Sequence, residues 1–124
     1  MMQGTRILVV EDEFLLAEDV RRFLEGQGAI VVGPAPSVPA AEKLVAANTV
    51  IDFAVLDINL AGTEAYPIAD MLARSGIPFA FVSGFEKSIV PKRFAEIAVL
   101  EKPLNFQLLC DAISAGVAAG RRES

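Results

Sequence analysis

Five short apolar runs recur along the chain, each separated from the next by a segment with a different hydrophobic period. They are RILVV (Arg6–Val10), AIVVG (29–33), FAVLD (Phe53–Asp57), FAFVS (Phe79–Ser83) and AVLE (98–101). Their length and their content of β-branched and aromatic residues are typical of strands buried on both faces of a parallel sheet. The intervening segments carry apolar residues at helical spacing. The alternation predicts an α/β domain of (βα)5 type: a doubly wound, five-stranded parallel sheet with helices on both faces.

Capping residues and prolines indicate where the helices begin. Ser37 is predicted to cap the second helix and Asn105 the last one. The third helix is expected to start near Glu64, with Pro67 in its first turn. Between the fourth and fifth strands, Pro91 interrupts the helical spacing, so we expect a fourth helix that is short or mobile. An ordinary helix with this proline in its first turn is the alternative.

Composition excludes several classes of function. The chain has 124 residues and no histidine, which removes histidine-dependent catalysis and histidine metal sites. Its single cysteine, Cys110, cannot form an internal disulfide, so a reduced cytoplasmic setting is expected. The net charge is −5 and no basic stripe is present, which disfavours nucleic-acid binding. No apolar run approaches the length of a membrane span, and no membrane association is expected.

Polar side chains follow four of the five predicted strands at their carboxyl ends. Glu11 and Asp12 follow the first strand, Asp57 ends the third, Ser83 ends the fourth and Lys102 follows the fifth. Sites of open parallel sheets form at this edge. Taken singly, each residue has an ordinary explanation as a helix-terminal charge, a turn residue or a surface lysine. Their arrival at one edge together predicts a functional site.

Carboxylates at this edge favour phosphoryl chemistry. Glu11, Asp12 and Asp57 would repel one another, and a hard divalent cation such as Mg²⁺ would remove the conflict. An aspartate can then act as a nucleophile and accept a phosphoryl group as an acyl phosphate. Transfer also needs positive charge and hydrogen-bond donors around the incoming oxygens, which Lys102 and the Ser83 hydroxyl would supply.

In this order and spacing, the residues resemble the receiver domain of bacterial two-component response regulators. The similarity rests on the acidic pair at 11–12, on Asp57, on Ser83 and on the Lys102–Pro103 pair, and it covers essentially the whole chain. It implies a flavodoxin-like receiver fold with strand order 2-1-3-4-5. It also implies a single receiver domain over residues 1–124, without an output domain.

The resemblance implies a metal site around the acceptor. Asp57 would be the phosphoacceptor and would contact Mg²⁺, which Asp12 would bind directly and Glu11 through water. The backbone carbonyl of Asn59 would be a further ligand. Because Asn59 contributes through its backbone, its side chain is expected to be able to vary without loss of metal binding, and Gly62 is expected to let the following loop turn.

The resemblance also implies how the phosphoryl group is held. Ser83 would bind it and re-orient on phosphorylation, and Lys102 would pair with it. Members of the family often have a cis peptide bond before the proline after this lysine, which makes Lys102–Pro103 the candidate.

Two departures from the family pattern stand out. The family usually has an aromatic residue three positions before the lysine, and this chain has Val99 there. The rotating-aromatic part of the activation mechanism is therefore not carried over. The segment PFAFVSGF (78–85) is similar to the FATGUY signature of a receiver subfamily linked to HWE-type kinases, although Phe81 and Val82 intervene before Ser83.

These features indicate a stand-alone response regulator rather than a turnover enzyme. A phosphohistidine on a sensor histidine kinase or histidine phosphotransfer protein would donate to Asp57, with self-catalysed transfer and dephosphorylation. Phosphorylation would change protein contacts at residues 84–97 and at the last strand and helix, or the protein would act as a phosphate sink.

Two alternatives remain open from the sequence. One is a metal-dependent phosphohydrolase of the haloacid-dehalogenase type, although its motif needs a second acid where this chain has Asn59. The other is a degenerate receiver that binds partners without phosphorylation, although every acceptor-site residue is present.

Overall fold

A computed structural model describes residues 2–47, 50–84 and 90–123 of the chain. Its strands are β1 Arg6–Val10, β2 Ile30–Ala35, β3 Phe53–Asp57, β4 Asn59–Leu60, β5 Thr63–Glu64, β6 Phe79–Ser83 and β7 Val99–Glu101. Its helices are α1 Phe14–Gly26, α2 Val38–Ala46, α3 Tyr66–Arg74 and α4 Phe106–Glu123, and a 3₁₀ turn spans Lys92–Phe94.

Five of the strands form one parallel sheet in the order β2-β1-β3-β6-β7. This order confirms the predicted 2-1-3-4-5 arrangement of a flavodoxin-like receiver fold. The central strands β3 and β6 are buried along their whole length, as expected for strands covered by helices on both faces. The strand order reverses beside β1, so a crevice opens beyond the carboxyl ends of β1 and β3.

Two apolar clusters pack the two faces of the sheet. Alternate residues of each strand point to opposite faces, so β3 contributes Leu56 to one cluster and Val55 to the other. The first cluster contains Ala41 of α2 and Leu72 of α3. The second is covered by α1 and α4 and contains Leu24. Helices therefore lie on both faces, which confirms the doubly wound architecture.

Both predicted caps are present. The Ser37 hydroxyl accepts a hydrogen bond from the Ala40 N–H at 3.2 Å. The side-chain oxygen of Asn105 accepts one from the Leu108 N–H at 3.1 Å. Each satisfies a backbone donor in the first helical turn, where no intrahelical partner exists.

The start of the third helix was predicted wrongly. It begins at Tyr66 and not near Glu64, because Glu64 belongs to an antiparallel hairpin. In this hairpin Asn59 pairs with Glu64 and Leu60 pairs with Thr63. The hairpin takes up residues that the apolar pattern alone assigns to the loop and the first helical turn.

The second strand runs further than predicted. The sequence places its end at Gly33, whereas β2 continues to Ala35. Its pairing with β1 shifts register between Leu8 and Val10, which lets the ladder resume beyond Pro34, a residue without an N–H donor. The Gly33–Pro34 peptide bond is cis.

Between β6 and β7, the described residues contain a single 3₁₀ turn. It spans Lys92–Phe94 directly after Pro91, and the chain then passes into β7. The prediction of a short fourth element is confirmed for residues 90–98, and an ordinary helix starting at Pro91 is excluded. Residues 85–89 lie outside the described residues; they include the end of the PFAFVSGF segment and part of the predicted contact surface at 84–97.

Helix α4 packs closely on the sheet. Gly116 faces the ring of Phe53 at the start of β3, and a β-carbon at this position would lie 2.4 Å from that ring. Ile113 and Leu109, one and two turns earlier, are fully buried. Among the described helices, α4 included, none combines the length and apolar content needed to cross a bilayer.

Candidate functional site

The predicted site residues converge at the carboxyl edge of the sheet. Within the described part of the chain, three polar or charged residues are buried: Glu11 (6% exposed), Asp57 (3%) and Ser83 (6%). All three follow or end strands of the sheet, as the sequence predicts. Burying polar groups costs free energy unless partners compensate, so three buried polar residues at one edge of the sheet indicate a functional site.

Three carboxylates form the acidic part of the site. Oxygens of Glu11, Asp12 and Asp57 all lie within 4.8 Å of one another. Three hard oxygen donors at this separation fit the coordination preference of Mg²⁺, which takes a few carboxylates together with carbonyls and waters. The donor set present therefore fits a magnesium ion.

Lys102 stands among these carboxylates. Its Nζ lies 2.9 Å from Asp57 Oδ2, 3.2 Å from Glu11 Oε1 and 3.8 Å from Glu13 Oε2. Burial by itself would lower the pKa of Lys102, but its hydrogen bond to Asp57 and the charges of Asp57 and Glu11 outweigh burial and raise that pKa. The side chain stays an ammonium at physiological pH.

The surroundings of Glu11 raise the pKa of its side chain. Burial, followed by a hydrogen bond of its carboxyl group with Asp57, raises the pKa of Glu11 to about 7. The Glu13 N–H, 3.1 Å from Glu11 Oε2, and the Lys102 charge act in the opposite direction but are outweighed. One lysine therefore does not balance the negative charge collected at this edge, and a divalent cation would.

The Asp57 carboxylate is held at both oxygens. Lys102 Nζ donates to Oδ2 at 2.9 Å, and the backbone N–H of Asn59 donates to Oδ1 at 3.1 Å. The side chain of Asn59 is also engaged, because its Oδ1 accepts a hydrogen bond from the Gly62 N–H at 2.7 Å. That this side chain can vary without loss of metal binding stays a prediction; its hydrogen bond to Gly62 is a separate contact within the turn. A two-residue loop ending in glycine, Ala61–Gly62, is the sequence signal for the hairpin.

Ser83 and Lys102 are held next to each other by the sheet. Ser83 is the last residue of β6 and pairs with Glu101 of β7. The Lys102 N–H donates to the Ser83 carbonyl at 2.8 Å, so backbone pairing sets the separation of the two residues. The Lys102–Pro103 peptide bond is cis, as the resemblance implies.

An aromatic cluster centred on Tyr66 lies beside β6, and the apolar pattern of the sequence does not predict it. Tyr66 packs edge-on against Phe81 at 5.8 Å between ring centroids and stacks on Phe94 at 5.9 Å. Within the described residues, its buried hydroxyl has no hydrogen-bond partner. Val99, at the position where the family usually has an aromatic residue, is 41% exposed.

The chain is similar in sequence to a family of known proteins. Residues 7–114 match the model of the family described as "Response regulator receiver domain". The phyllosphere-induced regulator PhyR of Methylorubrum extorquens is 30% identical over 105 residues, which is 81% of this chain and 39% of PhyR. The chain therefore spans well under half the length of this relative.

Two solved structures of one protein are similar over nearly the whole chain. The solution structure of SdrG from Sphingomonas melonis Fr1 is 37% identical, with a TM-score of 0.81 over 94% of this chain and 99% of SdrG. The BeF3-activated conformation of SdrG, from Pseudomonas melonis Fr1, is 38% identical, with a TM-score of 0.75 over the same shares.

Proposed function

The chain belongs to the response regulator receiver domain family, and on that basis we propose that Asp57 accepts a phosphoryl group from a phosphohistidine of a partner protein. Receiver domains are signalling modules of two-component systems. The likeness to PhyR and SdrG is consistent with the FATGUY-type subfamily. A sensor histidine kinase or a histidine phosphotransfer protein is the proposed donor.

One observation carries the proposal: a buried aspartate is held by a lysine and a backbone N–H next to two further carboxylates. In the proposed step, an oxygen of Asp57 attacks phosphorus while the phosphorus–nitrogen bond of the donor breaks. The electron pair of that bond stays on the imidazole nitrogen, and the product is an acyl phosphate. Later attack of water on phosphorus would regenerate the carboxylate.

Side chains at this edge fit the needs of the transfer. Lys102 already contacts Asp57, so its ammonium would neutralise an incoming phosphoryl oxygen without a large movement. The buried Ser83 would bind another oxygen from the neighbouring strand end. The proposed holders of Mg²⁺ are Glu11, Asp12, Asp57 and the Asn59 carbonyl. When bound, the cation would offset the charge that develops on the phosphoryl oxygens.

The proposed output is a change in protein contacts. Residues 84–97, β7 and α4 adjoin Ser83 and Lys102 along the chain and the sheet, which supports them as the surface that phosphorylation alters. The other proposed role is that of a phosphate sink, which removes phosphoryl groups from a kinase without a downstream partner. The proposal also includes that residues 1–124 form one receiver domain and that this domain acts in the cytoplasm.

Incubation with acetyl phosphate and Mg²⁺, followed by intact mass measurement, tests the acceptor. We expect the mass to increase by one phosphoryl group, and the increase to be lost on adding EDTA. Asp57→Asn should abolish it. Asp19→Asn, which makes the same change on the exposed face of α1, should retain it. An increase that survives in Asp57→Asn contradicts the assignment.

Neither alternative from the sequence gains support. A phosphohydrolase of the haloacid-dehalogenase type needs an acid at position 59, and the Asn59 amide is instead engaged with the hairpin turn. Turnover of p-nitrophenyl phosphate would favour it. A degenerate receiver is disfavoured because the acceptor residues lie together, and absence of any Mg²⁺-dependent change in the amide NMR shifts of residues 11, 12 and 57 would favour it.

A further inference from the structure

We propose that the β4–β5 hairpin positions the Asp57 carboxylate, and that the side chain of Asn59 keeps the hairpin closed. This inference rests on the proposed function, because it concerns the same phosphoacceptor. The role belongs to the side chain of Asn59 and is separate from the proposed binding of Mg²⁺ by its backbone carbonyl. In this role Asn59 is a positioning residue.

The hairpin turn needs positive φ angles at both of its central residues. Its two central residues, Ala61 and Gly62, have φ angles of 52° and 91°. Positive φ at both positions is typical of a type I′ turn, whose twist matches that of the paired strands. Glycine adopts this region freely, but alanine does so at a cost of about 1–2 kcal/mol. Other contacts must therefore hold the turn in place.

Two sets of contacts hold it. On the core side, Ile58 and Leu60 are both buried, and the Ala65 N–H donates to the Ile58 carbonyl at 2.8 Å. On the solvent side, the Asn59 side-chain oxygen accepts the Gly62 N–H at 2.7 Å. Asn59 therefore lies between two buried residues, Ile58 and Leu60, and its side chain closes the turn on the solvent side.

The closed hairpin fixes a donor on the acceptor. The Asn59 N–H belongs to the backbone of β4, and it donates to Asp57 Oδ1 at 3.1 Å. The terminal torsion of an aspartate is soft, so a carboxylate held at one oxygen turns readily. Lys102 holds Oδ2 and Glu11 also hydrogen-bonds with Asp57, but both are side chains that can themselves move, whereas the Asn59 N–H is a backbone donor on Oδ1. Holding the second oxygen keeps the carboxylate in one orientation for attack on phosphorus.

Ala61 separates this mechanism from a direct action of the Asn59 side chain on the phosphoryl group. Its side chain is exposed at the tip of the turn, two residues past Asn59. Ala61→Val disfavours positive φ through its branched β-carbon, whereas Ala61→Gly removes the backbone cost at the same position. The pair alters the turn in opposite directions and leaves Asn59 intact. Asn59→Ala removes the closing hydrogen bond itself.

The experiment combines a kinetic and a non-kinetic measurement. Phosphorylation by acetyl phosphate at saturating Mg²⁺ is expected to slow about three- to tenfold in both Asn59→Ala and Ala61→Val, the effect of one lost hydrogen bond. Ala61→Gly should match or exceed the wild-type rate. In the metal-free, unphosphorylated protein, hydrogen exchange of the residue-59 amide should accelerate in the two slow variants only. Thermal unfolding of each variant verifies that it is folded.

The outcomes separate the possibilities. A slow Asn59→Ala beside a normal Ala61→Val means that the side chain acts directly, which overturns the hairpin's role. Accelerated exchange with unchanged phosphorylation overturns the positioning of Asp57. If the wild-type protein accepts no phosphoryl group, the proposed function fails. In that case, equal exchange in Ala61→Val and Ala61→Gly would separately overturn the claim that the turn directs the Asn59 N–H.

Discussion

At the scale of single residues, Glu11 illustrates how burial sets the energetics of the site. Its pKa is raised to about 7 from an ordinary value of 4.5, first by burial and then by its hydrogen bond with Asp57. An acid with a raised pKa in the folded state binds its proton more tightly there than in the unfolded chain. Its ionisation therefore destabilises the fold; the cost is absent below about pH 4.5 and fully present above about pH 7.

Glu11→Gln is expected to stabilise the metal-free protein. In EDTA at about pH 8, the free energy of unfolding should rise by roughly 1–3 kcal/mol, because the amide carries no charge to bury. The gain should shrink as the pH falls towards about 5, where the wild-type side chain is protonated. Urea unfolding at each pH measures it.

Glu42→Gln is the matched control for this prediction, since it removes the same charge from an exposed position on α2. It should produce no comparable gain. A lower stability of Glu11→Gln than of wild type at pH 8 would contradict the interpretation.

At the scale of elements, the 3₁₀ turn Lys92–Phe94 is fastened to α3 by two contacts of different strength. Arg93 makes a bidentate ion pair with Asp70, at 2.9 and 3.1 Å, but both side chains are exposed and such pairs contribute little. Phe94 is buried and stacks on Tyr66. Ring packing therefore holds the turn, and within the described part of the chain the Tyr66 hydroxyl of this cluster lacks a hydrogen-bond partner.

Tyr66→Phe is expected to raise the free energy of unfolding by about 1 kcal/mol, because it removes a buried hydroxyl that has no partner among the described residues. Tyr66→Leu also removes the stacked ring and should lower stability by roughly 1–3 kcal/mol. Denaturant unfolding of the two variants separates the hydroxyl from the ring. Destabilisation by Tyr66→Phe would mean that the hydroxyl contributes a favourable interaction.

The elements also show which parts of the fold a sequence can predict. The compact runs at β1, β3 and β6 were located correctly because a strand buried on both faces needs a continuous apolar segment. The two-residue strands of the hairpin were missed because they are too short to show a period. At the site, Asp57 and Lys102 were predictable from the shared edge of parallel strands. The side-chain bond of Asn59 and the approach of Glu13 to Lys102 were not, because both depend on loop geometry.

At the scale of the whole molecule, α4 packs on the sheet through the start of β3, the strand that ends at the candidate site. This strand carries Asp57 at its carboxyl end and begins with Phe53, whose ring lies against Gly116 of α4. Because the ring is buried, it has little room to yield to a larger residue. The distance between α4 and the sheet is therefore set by the absence of a side chain at position 116.

Gly116→Ala and Gly120→Ala should have opposite effects. At position 116 the new methyl group would meet the Phe53 ring, and we expect a loss of about 1–3 kcal/mol of unfolding free energy despite the better helix propensity of alanine. At position 120 a new β-carbon would meet no atom within 4 Å beyond the adjoining helix backbone, so alanine should stabilise the helix by up to about 1 kcal/mol. Thermal unfolding of the two variants tests the difference, and equal shifts in both would contradict it.

The aromatic cluster has a practical consequence for spectroscopy. The chain contains one tyrosine and no tryptophan, so its intrinsic fluorescence, apart from the weak emission of its phenylalanines, arises from a single ring. That ring touches Phe81, two residues before Ser83 on β6, and Phe94 on the 3₁₀ turn. A change of packing between strand and turn would therefore alter the emission of Tyr66 without any attached dye. The protein contains its own optical probe at the junction between the proposed phosphoryl site and the proposed contact surface.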